Sequence, residues 1–168
     1  MNLIVAVDKN FAIGKKNGLL YHIPEDLKYF KETTINKTVI MGEKTVFSLP
    51  GGKVLPKRNT IVMTLDKSLI IENATMVYSI QELLEEVKKY NEDDVFVCGG
   101  ATIYRLLLPY CKKAYITKIE AETKDADVFF ENIDNLSNWE VEKSSELIDN
   151  GQYKFRFMIY KNNNVKQG

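Results

Sequence analysis

Short apolar runs alternate with helical patterns along most of this chain, and this alternation restricts the possible folds more than any other feature. Unbroken apolar runs of this length are typical of strands that are covered on both faces. They occupy residues 3–7, 38–41, 59–64, 95–98 and 114–119. Helical patterns stand between them at residues 24–33, 43–49, 79–90 and 101–108. The alternation predicts an α/β fold whose mostly parallel, twisted sheet is flanked by helices on both faces.

The C-terminal region follows a different pattern. Residues 139–145 and 152–160 alternate between apolar and polar side chains with a period of two, and Asp149-Asn150-Gly151 between them favours a tight turn. We therefore predict an antiparallel hairpin at the edge of the sheet. A chain of 168 residues suits one domain. We place this domain at residues 1–162 and expect residues 163–168 to form a frayed tail.

Charge balance and cysteine content argue against several classes of function. Lysine and arginine together number 23, as do aspartate and glutamate, so the chain lacks the basic surface that a nucleic acid or an anionic membrane requires. The first residues contain no basic leader, and no apolar run approaches the ~20 residues that span a bilayer, so we expect a cytoplasmic protein with a small-molecule partner. The only histidine is His22, and Cys98 and Cys111 lack paired spacing, so we expect no metal site and no histidine-dependent hydrolase.

Asp26 is the candidate for proton chemistry. Pro24 suits the first position of a helix, and acidic residues in the first turn complement the helix dipole. Asp26 and Phe30 are four residues apart with Leu27 beside them, so the carboxylate shares a helix face with large apolar groups. A carboxylate that is partly desolvated in this way titrates above a free aspartate. The alternative is a carboxylate that only meets the helix dipole and solvent.

Two glycine positions and one arginine are candidates for binding anionic groups. Gly42 and Gly99-Gly100 each stand where a strand gives way to a helix, which is where a backbone can approach a phosphate. Neither stretch is the dinucleotide pattern G-x-G-x-x-G, and both are also compatible with plain tight turns. Arg58 precedes a strand and can bind a carboxylate through two parallel hydrogen bonds, although an arginine in solvent is the ordinary alternative.

Residues 8–22 form a long segment without a regular period, and it contains Gly14 and Gly18. Loops of this length within a compact domain are usually functional or disordered, and the apolar residues of this one argue against disorder. We expect it to act as a lid, with the two glycines allowing the backbone to rearrange.

Several segments together resemble the dihydrofolate reductase family: "LIVAVDKNFAIG", "NGLLYHIPEDLKYFK", "TVIMGEKTVFSL", "LPKRNTIVMT", "VFVCGGATIYRLLLP" and "AYITKIEAE". They follow the family's order as far as about residue 122, and "DADVFF" fits its later acidic-aromatic segment. The resemblance implies an NADPH-dependent enzyme of one-carbon metabolism. Such an enzyme reduces 7,8-dihydrofolate to 5,6,7,8-tetrahydrofolate, with hydride transfer to pterin C6 and protonation at N5. It also implies a monomer whose substrate pocket binds antifolates.

Carried over to this sequence, the resemblance makes Asp26 the carboxylate that binds the pterin ring and pairs with Thr117 on a neighbouring strand. Tyr21 stands where the family often has tryptophan and joins Asp26 in the predicted catalytic pair. Arg58 is predicted to bind the glutamate carboxylate of the substrate. The predicted substrate-binding residues are Val5, Ala6, Leu27, Phe30, Lys31, Leu49, Leu55, Arg58 and Thr117.

The resemblance also implies a cofactor site, with one departure from the family. The predicted cofactor-binding residues are Ala6, Ile13, Gly14, Leu19, Gly42, Lys44, Thr45, Thr64, Leu65, Cys98, Gly99, Gly100, Ala101, Thr102, Ile103 and Tyr104. Glu43 stands where the family usually has an arginine that binds the 2′-phosphate of NADPH. Lys44 and Thr64, with Lys67, remain for that phosphate, so we expect NADPH, with NADH as a weaker alternative.

Two other functions are compatible with the same fold. One is a reductase that acts on a pyrimidine intermediate of flavin synthesis, which is expected to lack the set Asp26, Phe30, Arg58 and Thr117. The other is a nucleotide-binding module without catalysis, which has no evident need for a carboxylate on an apolar helix face. Turnover of dihydrofolate distinguishes the main hypothesis from both alternatives.

Overall fold

The computed structural model describes residues 1–14 and 21–168. The strands are β1 Asn2–Val7, β2 Ala12–Gly14, β3 Thr38–Gly42, β4 Asn59–Met63, β5 Ala74–Val77, β6 Val95–Val97, β7 Lys113–Ile119, β8 Val128–Phe129, β9 Trp139–Ser144, β10 Ile148–Asp149 and β11 Lys154–Asn162. The helices are α1 Pro24–Thr34, α2 Glu43–Phe47, α3 Ile80–Val87 and α4 Ala101–Leu107. Short 3-10 turns lie at Pro50–Gly52, Glu92–Asp94, Leu108–Tyr110 and Ile133–Asn135.

The main sheet has the order β10-β11-β7-β1-β6-β3-β4-β5, and β9 also pairs with β11. The strands from β7 to β5 in this order pair in parallel, whereas β11 is antiparallel to β7, β9 and β10. The predicted fold class is therefore confirmed. In the C-terminal hairpin, β11 lies between β7 and the two strands β9 and β10. The edge of the sheet is therefore formed by β9 and β10 and not by β11.

Helices cover both faces of the sheet, and the strand residues alternate between two apolar clusters. Ile40 of β3 belongs to the cluster that contains Leu83 of α3 and Leu107 of α4. Its neighbour Val39 belongs to the cluster that contains Val46 of α2. Successive side chains of a strand point to opposite faces, so each β3 residue contributes to one of the two layers.

Sequence patterns set the start of two helices. Pro24 opens α1, with acidic residues in the first turn. In α3 the Ser79 hydroxyl accepts a hydrogen bond from the Glu82 N–H (3.1 Å), and the Glu82 carboxylate accepts one from the Tyr78 N–H (2.8 Å). The Ser79 hydrogen bond is the N-cap that the spacing of Ser79 and Glu82 predicts, whereas the Glu82 carboxylate binds the N–H one residue before the cap.

Other parts of the structure differ from the sequence-based expectation. The α3 helix ends at Val87, short of residue 90, and β5 and the small β2–β8 sheet were not predicted, since strands of two to four residues show no usable period. The segment expected to be a frayed tail is hydrogen-bonded, because the Asn163 N–H donates to the Asn138 carbonyl (2.7 Å) and the Lys166 N–H to the Pro109 carbonyl (2.9 Å). No helix among the described residues has the length and apolar character needed to cross a membrane.

Candidate active site

A pocket opens at the carboxyl ends of the central strands, beside the first turn of α1. Ligands of open parallel sheets bind outside these strand ends. The β1 and β7 strands are neighbours in register, with Ala6 opposite Thr117, so both strands end at this pocket. The lining residues are Ala6, Val7, Asp8, Ala12, Ile13, Tyr21, Ile23, Asp26, Leu27 and Ile119.

Asp26 lies in this pocket, and Thr117 holds its carboxylate. The buried Thr117 hydroxyl donates a hydrogen bond of 2.6 Å to Asp26 Oδ1. Burial raises the pKa of Asp26, and the hydrogen bond from Thr117 lowers it by a smaller amount. Within residues 1–14 and 21–168, Asp26 Oδ2 receives no hydrogen bond from the protein. The arrangement leaves a desolvated carboxylate with one fixed oxygen and one oxygen available to a ligand.

Tyr21 lines the same pocket, but its hydroxyl is engaged elsewhere. It shares a hydrogen bond of 2.6 Å with the Thr123 hydroxyl, in the segment that follows β7. The Tyr21 ring packs edge-on against Tyr153, with the ring centroids 5.1 Å apart. The Tyr21 side chain is therefore held at its ring and at its hydroxyl.

The residues predicted to surround the substrate fall into two groups. Ala6 and Leu27 line the Asp26 pocket, where Leu27 is 45% exposed, and the buried Val5 lies beside them on β1. Phe30, Leu49 and Leu55 pack together around the cluster of Val39, Met41, Val46, Val62 and Ile71. The two groups meet along α1, which carries both Leu27 and Phe30. Lys31, also on α1, is exposed.

Arg58 is fixed against the C-terminal end of α1. Its Nε donates to the Thr34 hydroxyl (3.2 Å), its Nη1 to the Pro56 carbonyl (2.8 Å) and its Nη2 to the Lys31 carbonyl (3.4 Å). Burial lowers the pKa of Arg58, but an arginine remains cationic at neutral pH. One N–H on each terminal nitrogen has no partner among the described residues, and two such groups match a carboxylate.

The predicted glycine positions of the cofactor site lie together. The Gly42 N–H donates to the Gly99 carbonyl (2.8 Å), and a Cβ on Gly100 would lie 3.4 Å from the Thr45 hydroxyl. Gly99 has a φ of +110°, and a Cβ there would lie 3.0 Å from the Tyr104 ring. A Cβ at Gly42 would lie 3.2 Å from the Ile103 side chain, so Gly42 and Gly99 both allow α4 to pack closely against the backbone where β3 and β6 end.

Comparisons with known proteins identify the family. A family model described as dihydrofolate reductase matches residues 1–162. The chain belongs to the dihydrofolate reductase family. It is 36% identical to the dihydrofolate reductase of Bacillus subtilis (strain 168), over all of this chain and 98% of the relative. It is 39% identical to that of Enterococcus faecium, over 90% of each chain.

A solved structure agrees with this assignment. It is described as dihydrofolate reductase from Enterococcus faecalis complexed with NADP(H) and RAB-propyl. The two chains share 34% sequence identity and a TM-score of 0.85, over 96% of this chain and 95% of the other. The fold assignment therefore does not depend on the sequence match alone.

Within this dihydrofolate reductase fold, the remaining predicted cofactor residues vary in exposure. Ile103 and Tyr104 are buried, and the Tyr104 hydroxyl donates to the Ile4 carbonyl (2.7 Å). Thr64 is buried and its hydroxyl accepts from the Asp66 N–H (3.1 Å), whereas Leu65 is 87% exposed. Ala101 and Thr102 form the start of α4, and Cys98 directly follows β6.

The departure at Glu43 lies at the first position of α2. Glu43 is half-buried and Lys44 is exposed, and neither forms an ion pair with any residue that the structure describes. The two opposite charges are adjacent in sequence at the start of the helix, so each modifies the potential that an anion meets there.

The expected lid is described only in part. Ile13 lines the pocket, and Gly14 belongs to β2, where its carbonyl accepts from the Asp127 N–H (3.3 Å). Gly18 and the predicted cofactor residue Leu19 lie outside the described residues. Residues 1–14 and 21–168 contain no group of histidine, cysteine, aspartate and glutamate side chains that could bind a metal ion.

Two residues of the pocket rim were missed by sequence reasoning. Asp8 was assigned no role beyond being the first residue of the long segment 8–22. It is buried and accepts from the Asn10 and Ala12 N–H groups (2.8 and 2.9 Å) and from the Thr123 N–H (3.0 Å). A polar residue directly after a buried parallel strand is a recognisable indication of a site. Thr123 carries no comparable indication, because its contacts lie more than 100 residues away in sequence.

Proposed function

We propose that this chain reduces 7,8-dihydrofolate to 5,6,7,8-tetrahydrofolate with NADPH, in one domain of residues 1–162, and so serves one-carbon metabolism. The observation that carries the proposal is the half-buried Asp26 carboxylate, which Thr117 holds in an otherwise largely apolar pocket. Family membership and the names of the relatives support the same reaction.

Asp26 orients the pterin ring in this proposal. Thr117 occupies Asp26 Oδ1, so Oδ2 is the oxygen that accepts hydrogen bonds from the pterin. Ala6 and Leu27 contact the ring, while Val5, Phe30, Leu49 and Leu55 complete the apolar walls. A flat ring that is held between apolar walls and one carboxylate has few ways to bind, which is what alignment for hydride transfer requires.

Arg58 binds the glutamate tail, and Lys31 adds a second positive charge at the pocket mouth. The three hydrogen bonds of Arg58 to the protein hold the guanidinium before substrate arrives. A group held in this way loses little conformational freedom when it binds a carboxylate.

Asp26 also governs the proton that N5 must gain. Because burial raises its pKa, Asp26 holds a proton at higher pH than an ordinary aspartate does. The carboxyl acts through the pterin ring or through water, since it binds the ring on the side away from N5. Tyr21 closes the pocket wall beside Asp26 and is the second member of the proposed catalytic pair.

The cofactor site uses backbone more than side chains. Gly42 and Gly99 let the Ile103 and Tyr104 side chains of α4 pack directly against the backbone, so the starts of α2 and α4 lie side by side and form a surface that a pyrophosphate can approach closely. Thr45 and residues 101–104 line this surface, while Ala6, Ile13 and Gly14 face the nicotinamide. When bound, NADPH supplies the hydride.

The 2′-phosphate of NADPH meets Lys44 and Thr64 in this proposal, with Leu65 beside them. Glu43 opposes the negative phosphate, so NADH is a weaker alternative cofactor. We further propose that the chain acts as a cytoplasmic monomer on small molecules, and that antifolates occupy the Asp26 pocket. The Enterococcus faecalis relative is described in complex with NADP(H) and RAB-propyl, so a small molecule other than the cofactor binds to that relative.

The test is a turnover assay in which the protein is mixed with NADPH and dihydrofolate and the absorbance of the reduced nicotinamide is followed. We expect loss of absorbance that depends on dihydrofolate. A pyrimidine intermediate of flavin synthesis serves as the alternative substrate. Absence of turnover with dihydrofolate, or turnover with the pyrimidine alone, would refute the proposed reaction.

A further inference from the structure

A hydrogen-bonded network runs along the rim of the Asp26 pocket and links Tyr21 to Thr123 and Asp8, to which the proposed reaction assigns no role. Thr123 is at its centre: its hydroxyl bonds the Tyr21 hydroxyl (2.6 Å), and its N–H donates to Asp8 Oδ2 (3.0 Å). The other Asp8 oxygen accepts from the Asn10 and Ala12 N–H groups. We call Asp8, Thr123 and Tyr21 the rim network.

The rim network joins three segments that are distant in sequence. Asp8 directly follows β1 and is 2% exposed, and Thr123 lies four residues beyond β7. Tyr21 precedes the helix that carries Asp26. Because β1 and β7 are neighbouring strands, Asp8 fixes the backbone of Thr123 relative to the sheet, and Thr123 in turn fixes the Tyr21 hydroxyl.

We propose that Thr123 is a positioning residue for the reduction of dihydrofolate, holding the Tyr21 hydroxyl so that the Tyr21 ring keeps its place in the pocket wall beside Asp26. The inference rests on the proposed function, since it concerns the same pocket and the same substrate. Thr123 itself does not line the pocket, so it acts through Tyr21.

The Tyr21 hydroxyl is a donor within the pocket wall that contains Asp26, so where it is held matters for the carboxylate. While Thr123 binds it, the ring excludes water from one side of Asp26 and the hydroxyl is held at Thr123, away from the carboxylate. Release of Tyr21 admits water and frees the hydroxyl, and both changes favour the charged carboxylate. Loss of the Thr123 hydroxyl therefore moves the pKa of Asp26 down, toward that of an ordinary aspartate.

Among the described residues, the other ionisable groups near Asp26 are Asp8 and Tyr21 in the same pocket, Tyr29 from α1 and Tyr104 from α4. We expect a substitution at Thr123 to leave the charges of Asp8, Tyr29 and Tyr104 unchanged. Burial raises the pKa of Tyr29 to about 12 and that of Tyr104 further, so both stay neutral near pH 7. Asp8 keeps its hydrogen bond to the Thr123 backbone whatever the side chain.

The test compares two substitutions of Thr123. Thr123→Val keeps the shape of the side chain and removes the hydroxyl, whereas Thr123→Ser retains the hydroxyl. Thr33→Val is the matched control, because the Thr33 hydroxyl also makes one hydrogen bond (2.7 Å, to the Tyr29 carbonyl) but lies outside the pocket. Pre-steady-state hydride transfer and steady-state KM for dihydrofolate are measured from pH 5 to pH 9. We expect Thr123→Val to lower kcat/KM by about three- to tenfold, the effect of one neutral hydrogen bond, and to shift the rate profile to lower pH. Thr123→Ser and Thr33→Val should keep the wild-type profile.

Tyr21→Phe removes the same hydrogen bond by deleting its other hydroxyl. This variant keeps the proposal testable if Thr123→Val folds poorly. The double variant Tyr21→Phe/Thr123→Val should be no slower than the slower single variant, because both remove one interaction. Additive losses, or a Thr123→Val profile equal to that of Thr33→Val, would overturn the positioning role while the wild type still reduces dihydrofolate. A wild type without turnover would instead overturn the proposed function and this inference with it.

Discussion

The two sides of the proposed active site are built in different ways. On the pterin side, side chains hold one another: Thr117 fixes Asp26, and Thr34 helps to fix Arg58. On the cofactor side, backbone meets backbone, as where the Gly42 N–H donates to the Gly99 carbonyl, and both glycines allow α4 to pack closely against the backbone.

The difference indicates how each side tolerates change. A polar side chain on the pterin side can be replaced by one of similar shape, so chemistry is lost while the fold remains. Gly42 and Gly99 on the cofactor side cannot gain a methyl group without moving the Ile103 or Tyr104 side chain, so fold and binding change together. Glu43 is the exception, because it is a charged side chain placed on the backbone-built side.

The largest effect is expected for Asp26→Asn, which keeps the shape and removes the ionisable group. We expect hydride transfer at neutral pH to slow by about 10²- to 10⁴-fold, the usual contribution of a positioned acid or base. Part of the loss should return in acid, where substrate is already protonated in solution. Stopped-flow absorbance across pH measures this effect. A loss that is the same at every pH would assign Asp26 to positioning alone.

Arg58→Leu comes next and tests whether the pterin side recognises the substrate tail. A net loss equal to one charge-assisted hydrogen bond, about 1.5–3 kcal/mol, should raise the KM for dihydrofolate by about 10- to 100-fold. A pterin without the glutamate is the control substrate, and its KM should not change. Arg58→Lys keeps the charge without the paired geometry, so its KM for dihydrofolate should lie between those of wild type and Arg58→Leu. Equal effects on both substrates would make Arg58 structural.

On the cofactor side, Gly99→Ala should destabilise the fold and weaken NADPH binding together. Gly151→Ala is the matched control, because Gly151 also has a positive φ (+88°) but nothing lies within 4 Å of its added Cβ. We expect each variant to lose about 1–3 kcal/mol from backbone strain, and Gly99→Ala to lose more because of the Tyr104 ring. Thermal melts and NADPH titrations separate the two contributions. Unchanged NADPH affinity in a folded Gly99→Ala variant would contradict our placement of the cofactor.

The smallest effect is expected for Glu43→Arg, which restores the cation that the family usually has. At a separation of ~4 Å, two unit charges interact by roughly 1 kcal/mol in water and roughly 4 kcal/mol near a protein surface. Lys44 and solvent favour the lower figure, so NADPH binding should tighten several-fold with little change for NADH. Added salt should reduce the gain. Glu43→Gln should give part of the gain in NADPH affinity. If Glu43→Arg gives no gain in NADPH affinity at low salt, Glu43 points away from the phosphate.

The sequence predicts the regular part of the fold because long elements carry their own pattern. Five apolar runs and the Ser79–Glu82 spacing each report a local preference that the structure keeps. The β2 and β8 strands are too short for such a pattern and form only because distant segments bring them together.

The same distinction holds in the site. Asp26 is recognisable from its helix face, and Thr117 from the family resemblance. In contrast, the three partners of Arg58 and the contact of Tyr21 with Thr123 depend on tertiary packing. No spacing in the sequence encodes a bond between residues 21 and 123, so the structure is needed to find it.

The buried carboxylate of Asp26 has a consequence for stability as well as for catalysis. A carboxyl group whose pKa is raised by folding binds protons more tightly in the folded than in the unfolded chain. The free energy of unfolding therefore decreases as pH rises from the unfolded pKa through the raised one. At neutral pH the charged Asp26 carboxylate therefore destabilises the folded state. The slow Asp26→Asn variant should melt at a higher temperature than wild type at neutral pH, and this difference should vanish in acid. Selection for turnover keeps a residue here that selection for stability alone would remove.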